Sequence, residues 1–374
     1  MNFINIVHIV RSPAGGIRKH ILSIVDGLSE DEYKFYLITN LDFSDVEFTK
    51  YLEKKSSCEI IHLNIKKLPQ LNDFRNIYLL IKLLKKRGIS IVHGHGAKGG
   101  IYSRLLAKFI NAKSIYTPHG GSLHSMYGFL AYIYAFIEWL MYFLTNKVVF
   151  ESEYSLNMYK AKIKKNSHKY VVNLNGVKIA ESNTSINFKQ KTEGNEIKLA
   201  SFGALRKIKG LDIAIKSIKP LIDKGLNIKY YIYGEGEEKE NLKKLCEQLE
   251  IQMHVFFKGD ISNSTSVMKG FYAVLQPSHH ESFGYTLIEA MAEGVVVIAS
   301  NTGGMKEIIV HQENGLSFES GCSLQLTNNL NDLIKNPELY KKLVEQGKKT
   351  VIEKFNEASM LKNIDRIYKE LDKL

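Results

Sequence analysis

Cysteine is scarce in this chain: 374 residues hold only Cys58, Cys246 and Cys322, far apart and odd in number. No CxxC pair and no zinc-ligand spacing occurs among them, and that usage fits a reducing compartment, the cytosol. The N-terminus is not expected to be a signal peptide. MNFINIVHIV is apolar for a few residues only and runs straight into RSPAGG, with no basic start, long apolar core or cleavage site, so it reads as a first strand. The glycine turn after the first strand, in RSPAGGIRKHI, is not GxGxxG, which leaves a dinucleotide site with little support. Nor is there zinc-finger spacing, an RNP-like aromatic strand or a basic helix with heptads, which argues against nucleic acid as a partner. Internal repeats and low-complexity segments are absent.

Acidic residues are short in one half alone. Residues 1–180 hold 25 Lys/Arg against 13 Asp/Glu, whereas 181–374 hold 26 of each, so the net charge of +12 belongs entirely to the first half. Ordinary solvated lysines account for this, or else the half faces an anionic partner such as a membrane surface or a diphosphate-linked acceptor.

What is present is a βαβ rhythm repeated twice. FINIVHIV, YKFYLIT, CEIIHLNI, SIVHGHG, KSIYTPHG, KVVFES and KYVVNLNG are strand-like, and 17–29, 72–87 and 100–109 carry helical apolar spacing. A polar, punctuated linker at 181–196 follows. The rhythm then resumes with IKLASFGAL, IKYYIYGEG, HVFFKGD, YAVLQPS and VVVIAS. With 44% hydrophobic residues, the length allows two cores. The expectation is α/β, with two doubly wound, Rossmann-like domains facing a central cleft: 1–180 on the acceptor side, 197–350 binding the nucleotide, and a helix at 351–374 packing back on the first domain.

Motifs fall at strand ends. Glu281 follows YAVLQPSHH, and SFGYTL then opens a helix whose first amides, at Phe283, Gly284, Tyr285 and Thr286, lack backbone partners and carry the positive end of the helix dipole. Glu289 lies about 6 Å further along the axis. A carboxylate thus stands on each side of a diphosphate cradle, as the hexose, diphosphate and ribose of a nucleotide sugar would require. By themselves, two Glu eight apart are as readily solvated or capping groups. In FGALRKIKG, Lys209 with Arg206 beside it can neutralise a departing diphosphate, although a Lys-Gly at a helix start is ordinarily just a turn. Gly234 in YGEGEEK and Gly259 in VFFKGD allow close backbone approach to a nucleoside. Gly15 and Gly16 in RSPAGGIRKHI present amides after the first strand, and His119 in YTPHGG sits at another strand end, exposed to the cleft. His93 with His95, and His279 with His280, find no third ligand at useful spacing, so no metal site is expected.

The ordered set ASFGALRKIKGLD, YGEGEEKENL, VFFKGD, QPSHHESFGYTLIEAMAEGVVVIASNTGGMKEII and NGLSF resembles the second domain of family 4 retaining glycosyltransferases of GT-B fold. AGGIRKH, VHGHG, TPHGG and NLNGVKI are similar to that family's first-domain landmarks, so the resemblance spans nearly the whole chain. It implies a donor-sugar contact for Glu281, a ribose contact for Glu289 and phosphate contacts for the 283–286 amides and Gly16. It also implies that Lys209 binds the diphosphate and His119 the transferring sugar. Ala204 stands where the family often has Arg, Ile17 and Arg18 replace an acidic residue common after GGx, and Lys178 replaces a frequent Asp.

The expected activity is retaining, metal-independent transfer of a hexose or N-acetylhexosamine from a nucleoside diphosphate, UDP in the first instance. The acceptor would be a saccharide, lipid-diphosphate-linked in one version, and no cofactor is expected. The alternatives are an epimerase of the same fold, a phosphorylase, and a noncatalytic basic module. FLAYIYAFIEWLMYFLT at 129–145, broken only by Glu138, is expected to be a helix buried under the sheet. Otherwise it spans a membrane or docks its aromatic face on lipid beside Lys160, Lys162, Lys164, Lys165 and Lys169, peripheral on the inner face of the plasma membrane.

Overall fold

The computed structural model describes residues 3–43, 46–66, 69–120, 129–163, 165, 167–179 and 196–374. The chain divides into two compact units, Met1–Asn175 with Glu357–Leu374, and Gly176–Asn356. The expected linker at 181–196 lies outside the described residues apart from Glu196.

Seven strands form the sheet of the first unit: β1 (Ile4–Val10), β2 (Tyr33–Thr39), β3 (Cys58–His62), β4 (Ile91–His95), β5 (Lys113–Thr117), β6 (Lys147–Phe150) and β7 (Tyr170–Val172). All pairs are parallel, in the order β3-β2-β1-β4-β5-β6-β7. A parallel strand needs a crossover, and helices such as Gly15–Gly27, Asn72–Lys85 and Gly96–Ile110 supply it, leaving both sheet faces covered and the strands apolar nearly throughout. Ile6, Phe35 and Ile91 pack on one face with Ile364, Ile367 and Tyr368; Val7, Ile9, Tyr36 and Val92 pack on the other with Leu84 and Leu106.

Ile364, Ile367 and Tyr368 belong to the last helix, Glu357–Asp372. It lies close over Gly27, where an added Cβ would meet the end of the Leu361 side chain and require it to shift. Tyr33 donates to Asp365 at 2.7 Å, and the Tyr368 hydroxyl meets His93 Nδ1 at 2.8 Å. The tail read from sequence as one charged helical region is two helices, because residues 351–354 finish helix Pro337–Lys354 of the second unit. That helix starts on a cap in which Asn336 accepts from the Leu339 amide, with proline at the first turn.

The second sheet has six parallel strands: β8 (Glu196–Phe202), β9 (Asn227–Tyr233), β10 (Val255–Gly259), β11 (Ala273–Gln276), β12 (Val296–Ser300) and β13 (Leu316–Phe318). Their order is β10-β9-β8-β11-β12-β13, so the winding direction reverses between β8 and β11. Three-residue β13 has no alternation to announce it and was not anticipated.

The apolar stretch corrects its expectation. Helix Phe129–Tyr142 is about 21 Å long at 1.5 Å per residue, and among the described residues no helix is long and apolar enough to cross a membrane. Neither is it buried under the sheet: Tyr132, Phe136 and Phe143 are 77%, 59% and 59% exposed. The inner side is occupied by Glu138, held in a fork by Arg104 at 2.8 and 2.9 Å with both side chains buried, so the aromatic stripe at i, i+4 and i+11 is turned outward.

Candidate active site

The point where a doubly wound sheet reverses opens a crevice at the carboxyl ends of the two strands flanking it. In the second unit those strands are β8 and β11, and the depression there is lined by Ser201, Gly203, Lys209, Gln276 and Ser278. Lys209 ends a tight turn, Lys207–Lys209, closed by Gly210 at φ 61°; a Cβ on Gly210 would run into the Pro277 carbonyl oxygen, so only glycine lets the β8 loop lie on the β11 loop. The His279 amide donates to the Ile208 carbonyl at 2.8 Å and joins the two loops. As a result Lys209 Nζ stands 2.5 Å from Glu281 Oε2, and Gln276 donates to the same oxygen at 3.3 Å. Both members of the pair keep contact with solvent, at 26% and 19% exposure.

The backbone under Glu281 is held from the other side. The Gly304 amide donates to the Glu281 carbonyl at 2.9 Å, and Gly303, at φ 57°, approaches that carbonyl too closely for any side chain. Next comes helix Tyr285–Ala292, whose N-cap is Gly284 at φ 121°; no side chain caps it. Its first turn carries the positive end of the helix dipole, four residues after the Glu281 that pairs with Lys209. Tyr285 and Thr286 are half-buried there, whereas the Phe283 ring is buried edge-on against Tyr285 and Phe355. Glu289 is buried one turn along, with Ser264 donating to it at 3.3 Å.

Gly234 and Gly259 sit at the ends of β9 and β10, and the Gly234 amide donates to the Gly259 carbonyl at 2.8 Å. A Cβ on Gly234 would strike the Gly203 carbonyl, so three neighbouring strand ends meet backbone to backbone. Arg206 is exposed and makes no ion pair among the described residues.

In the first unit the reversal falls between β1 and β4. Gly15, at φ 54°, and Gly16 open the helix after β1, with Gly15 exposed. His119 departs from its expectation: its side chain is 4% exposed, because both ring nitrogens are engaged. Nδ1 lies 2.8 Å from Glu151 Oε2, and Nε2 lies 3.0 Å from His95 Nδ1. Beyond it, His95 Nε2 is 2.8 Å from His8 Nδ1. His93 bridges the hydroxyls of Thr117 and Tyr368, both at 2.8 Å, and His20 Nδ1 is 2.8 Å from Asn175 Oδ1.

Sequence spacing offered His93 and His95 no third partner; the sheet does, because parallel register sets His8 opposite His93. Burial pushes His8 down to about 3 and His20 to about 4, with neighbouring imidazoles adding to the effect, and holds His93 and His95 well below the usual range. These four rings are therefore uncharged near neutrality. Gln276, Gly210, Gly303, Glu151, His20 and Asn175 were not anticipated as parts of either site. Gly210, Gly303, Glu151 and Asn175 lie in loops that follow strands and Gln276 ends one, whereas His20 lies within helix Gly15–Gly27, and no motif marks any of them.

Residues 14–181 match Glycosyltransferase Family 4, and residues 182–350 match Glycosyl transferases group 1. An uncharacterized glycosyltransferase of Methanocaldococcus jannaschii is 27% identical over 369 residues, covering 96% of this chain and 95% of that protein. CapM of Staphylococcus aureus, a capsular polysaccharide biosynthesis glycosyltransferase, is 24% identical, covering 91% and 93%. Among solved structures, HepE of Anabaena in complex with UDP-glucose superposes with a TM-score of 0.82 at 18% identity, covering 98% of this chain and 99% of that one. With two consecutive family matches spanning both units and a shared architecture over nearly its whole length, the chain belongs to the family 4 glycosyltransferases and has the GT-B fold.

Proposed function

We propose that this glycosyltransferase moves a hexose or N-acetylhexosamine from a UDP-sugar to a saccharide acceptor, with retention of anomeric configuration. The observation carrying this reading is the Lys209–Glu281 pair at the β8/β11 reversal, beside an uncapped helix N-terminus. Lys209 and the first-turn amides offer a diphosphate both full and partial positive charge, and Glu281 offers sugar hydroxyls an acceptor. Glu289 takes the ribose, with the glycines at 234 and 259 leaving room for the nucleoside. The contacts read from the sequence for Gly15 and Arg206, and those the family resemblance implies for Gly16 and His119, remain part of this proposal. UDP is favoured because HepE was solved with UDP-glucose. A role in surface polysaccharide synthesis is supported by the name of CapM.

Binding of the donor exchanges one pair for two contacts: Lys209 leaves the carboxylate for phosphate, and Glu281 turns to the sugar. The bond from the anomeric carbon to the diphosphate then breaks, the acceptor hydroxyl attacks the same face, and its proton leaves with the departing diphosphate. A thermal-shift screen is the direct test, since a ligand at 100 times its Kd adds about 2.7 kcal/mol of stability. UDP and one UDP-sugar are expected to raise Tm, and that sugar to appear on a saccharide with release of UDP. A sugar isomer formed without any acceptor would instead mark an epimerase. Cations already neutralise the diphosphate, so transfer after treatment with chelator is expected to stay within twofold of the untreated rate. A loss restored by manganese would refute metal independence.

A membrane-facing acceptor is supported by one further observation. The exposed stripe Tyr132, Phe136 and Phe143 is bordered by Lys165, whose ammonium lies 4.2 Å from the Phe143 ring centroid, and by Lys169, 4.6 Å from that of Tyr142. Aromatic rings ringed by lysines match an anionic lipid interface, giving cytoplasmic, peripheral attachment. Of the five lysines named from sequence, Lys164 lies outside the described residues. Full-length protein is expected to co-sediment with vesicles containing anionic lipid and not with neutral ones. Replacing Tyr132, Phe136 and Phe143 together by Ser should reduce the bound fraction at least tenfold while Tm changes little, since all three side chains are largely exposed. Equal sedimentation of that variant would end the membrane reading.

A further inference from the structure

We propose that His20, His95 and His119, all of the first unit, form a binding site for one divalent transition-metal ion of the zinc class. One ring nitrogen from each lies within 4.8 Å of the others. His20 is 1% exposed, and with its Nδ1 turned to Asn175, its Nε2 is a buried nitrogen with no hydrogen-bond partner among the described residues. Such an unsatisfied group is costly unless something occupies it.

The second nitrogens are arranged as metal ligands require. A coordinating imidazole ordinarily anchors its far nitrogen on a carboxylate, carbonyl or other polar group, which sets the tautomer and ring orientation. Here Asn175 anchors His20, Glu151 anchors His119 and His8 anchors His95. A donation from His119 Nδ1–H to Glu151 leaves His119 Nε2 as a lone pair facing the site. His95 Nδ1 faces it at 3.0 Å. Two imidazoles bound to zinc at about 2.0–2.1 Å, arranged tetrahedrally, hold their nitrogens about 3.4 Å apart, so the His95–His119 pair needs to open by only a few tenths of an ångström, and a His20 nitrogen lies within 4.8 Å of both.

Protons balance without loss. Without metal, His95 Nδ1–H donates to His119, and His8 Nδ1–H donates to His95 Nε2. With metal, the His95 proton moves to Nε2 and donates to His8 Nδ1, while the His8 proton moves to its own Nε2. The carboxylate of Glu151, one ring away, partly offsets the ion's charge. Imidazole donors favour zinc, cobalt, nickel or copper over magnesium, which prefers oxygen. The neighbouring group of His8, His93 and His95 is the weaker candidate, since both nitrogens of His93 are already occupied by hydroxyls.

One consequence rests on the proposed sugar contact of His119: zinc would occupy the same Nε2 and slow transfer. Metal binding itself is read without activity, so failure of that contact and failure of the site are distinguishable. The full chain, stripped with chelator, is titrated with cobalt(II). One equivalent per chain is expected, with visible ligand-field bands that zinc abolishes and magnesium leaves unchanged. His20→Ala should weaken binding at least 100-fold, Asn175→Ala, which keeps all three ligands, about 10-fold, and His279→Ala in the other unit should match the parent. Absence of cobalt bands in the parent would overturn the site, as would parental affinity in folded His20→Ala. Should that variant fail to fold, parental affinity in Asn175→Ala overturns it equally.

Discussion

Replacing Lys209 by Ala is expected to lower kcat about 100-fold while leaving the fold intact. Removing a single preorganised donor from a site where negative charge develops costs roughly 3 kcal/mol of transition-state stabilisation, and each 1.36 kcal/mol is a factor of ten in rate. Lys209 is the ammonium at the reversal between β8 and β11, and no second cation among the described residues pairs with Glu281. Stability should change little. Partly exposed ion pairs contribute about 0–1 kcal/mol, and after the substitution Gln276 still donates to the Glu281 carboxylate. The discriminating measurement is thus a pair: steady-state transfer with a UDP-sugar, and Tm of the same preparation. Transfer within threefold of the parent would remove Lys209 from the reaction.

The second large effect concerns stability. Arg104→Met should lower the stability of the first unit by about 3–5 kcal/mol, because Glu138 would remain buried as an unpaired charge. Arg104 is fully enclosed: its fork holds Glu138 at 2.8 and 2.9 Å, its Nε donates to the Gly100 carbonyl at 2.7 Å, and its guanidinium lies 4.3 Å from the Tyr116 ring centroid. Tyr159 adds a donation to Glu138 at 3.2 Å. For a unit of this size the loss corresponds to a fall in Tm on the order of 10 °C. The double variant Arg104→Met/Glu138→Leu should recover most of it, since an apolar pair of similar volume avoids the desolvation cost. A double variant no more stable than the single one would show that the charge pair is not the cause, and a Tm for Arg104→Met within 2 °C of the parent would refute the prediction outright.

This pair also shows where sequence reading stopped. Glu138 was visible only as one charge interrupting an apolar run, and nothing in the run names its partner 34 residues earlier. Without Arg104 the run reads as uniformly apolar and therefore buried. With it, one side of helix Phe129–Tyr142 is committed to an ion pair, and the aromatic residues are left facing out. His119 is a similar case. Its Pro-His-Gly-Gly loop pointed to a strand end, but the burial of the ring follows from Glu151 and His95, each from a different strand or its edge.

All strands but β13, their parallel pairing and the two rounds of winding were legible from local information, since short apolar runs separated by helical spacing leave few other arrangements. Glu281, Glu289 and Gly284 between them could likewise be recognised, because a helix N-terminus and its flanking residues are contiguous in the chain. Which groups become neighbours across strands was decided only by tertiary structure. Strand order determines that the loops after β8 and β11 adjoin, and Lys209 and Glu281, 72 residues apart, meet as a consequence. In the first unit, strand order and the helix after β1 gather His8, His20, His93, His95 and His119 from four separate stretches into one buried cluster. A contact between distant residues depends on the closure of the intervening chain, and no local pattern encodes it.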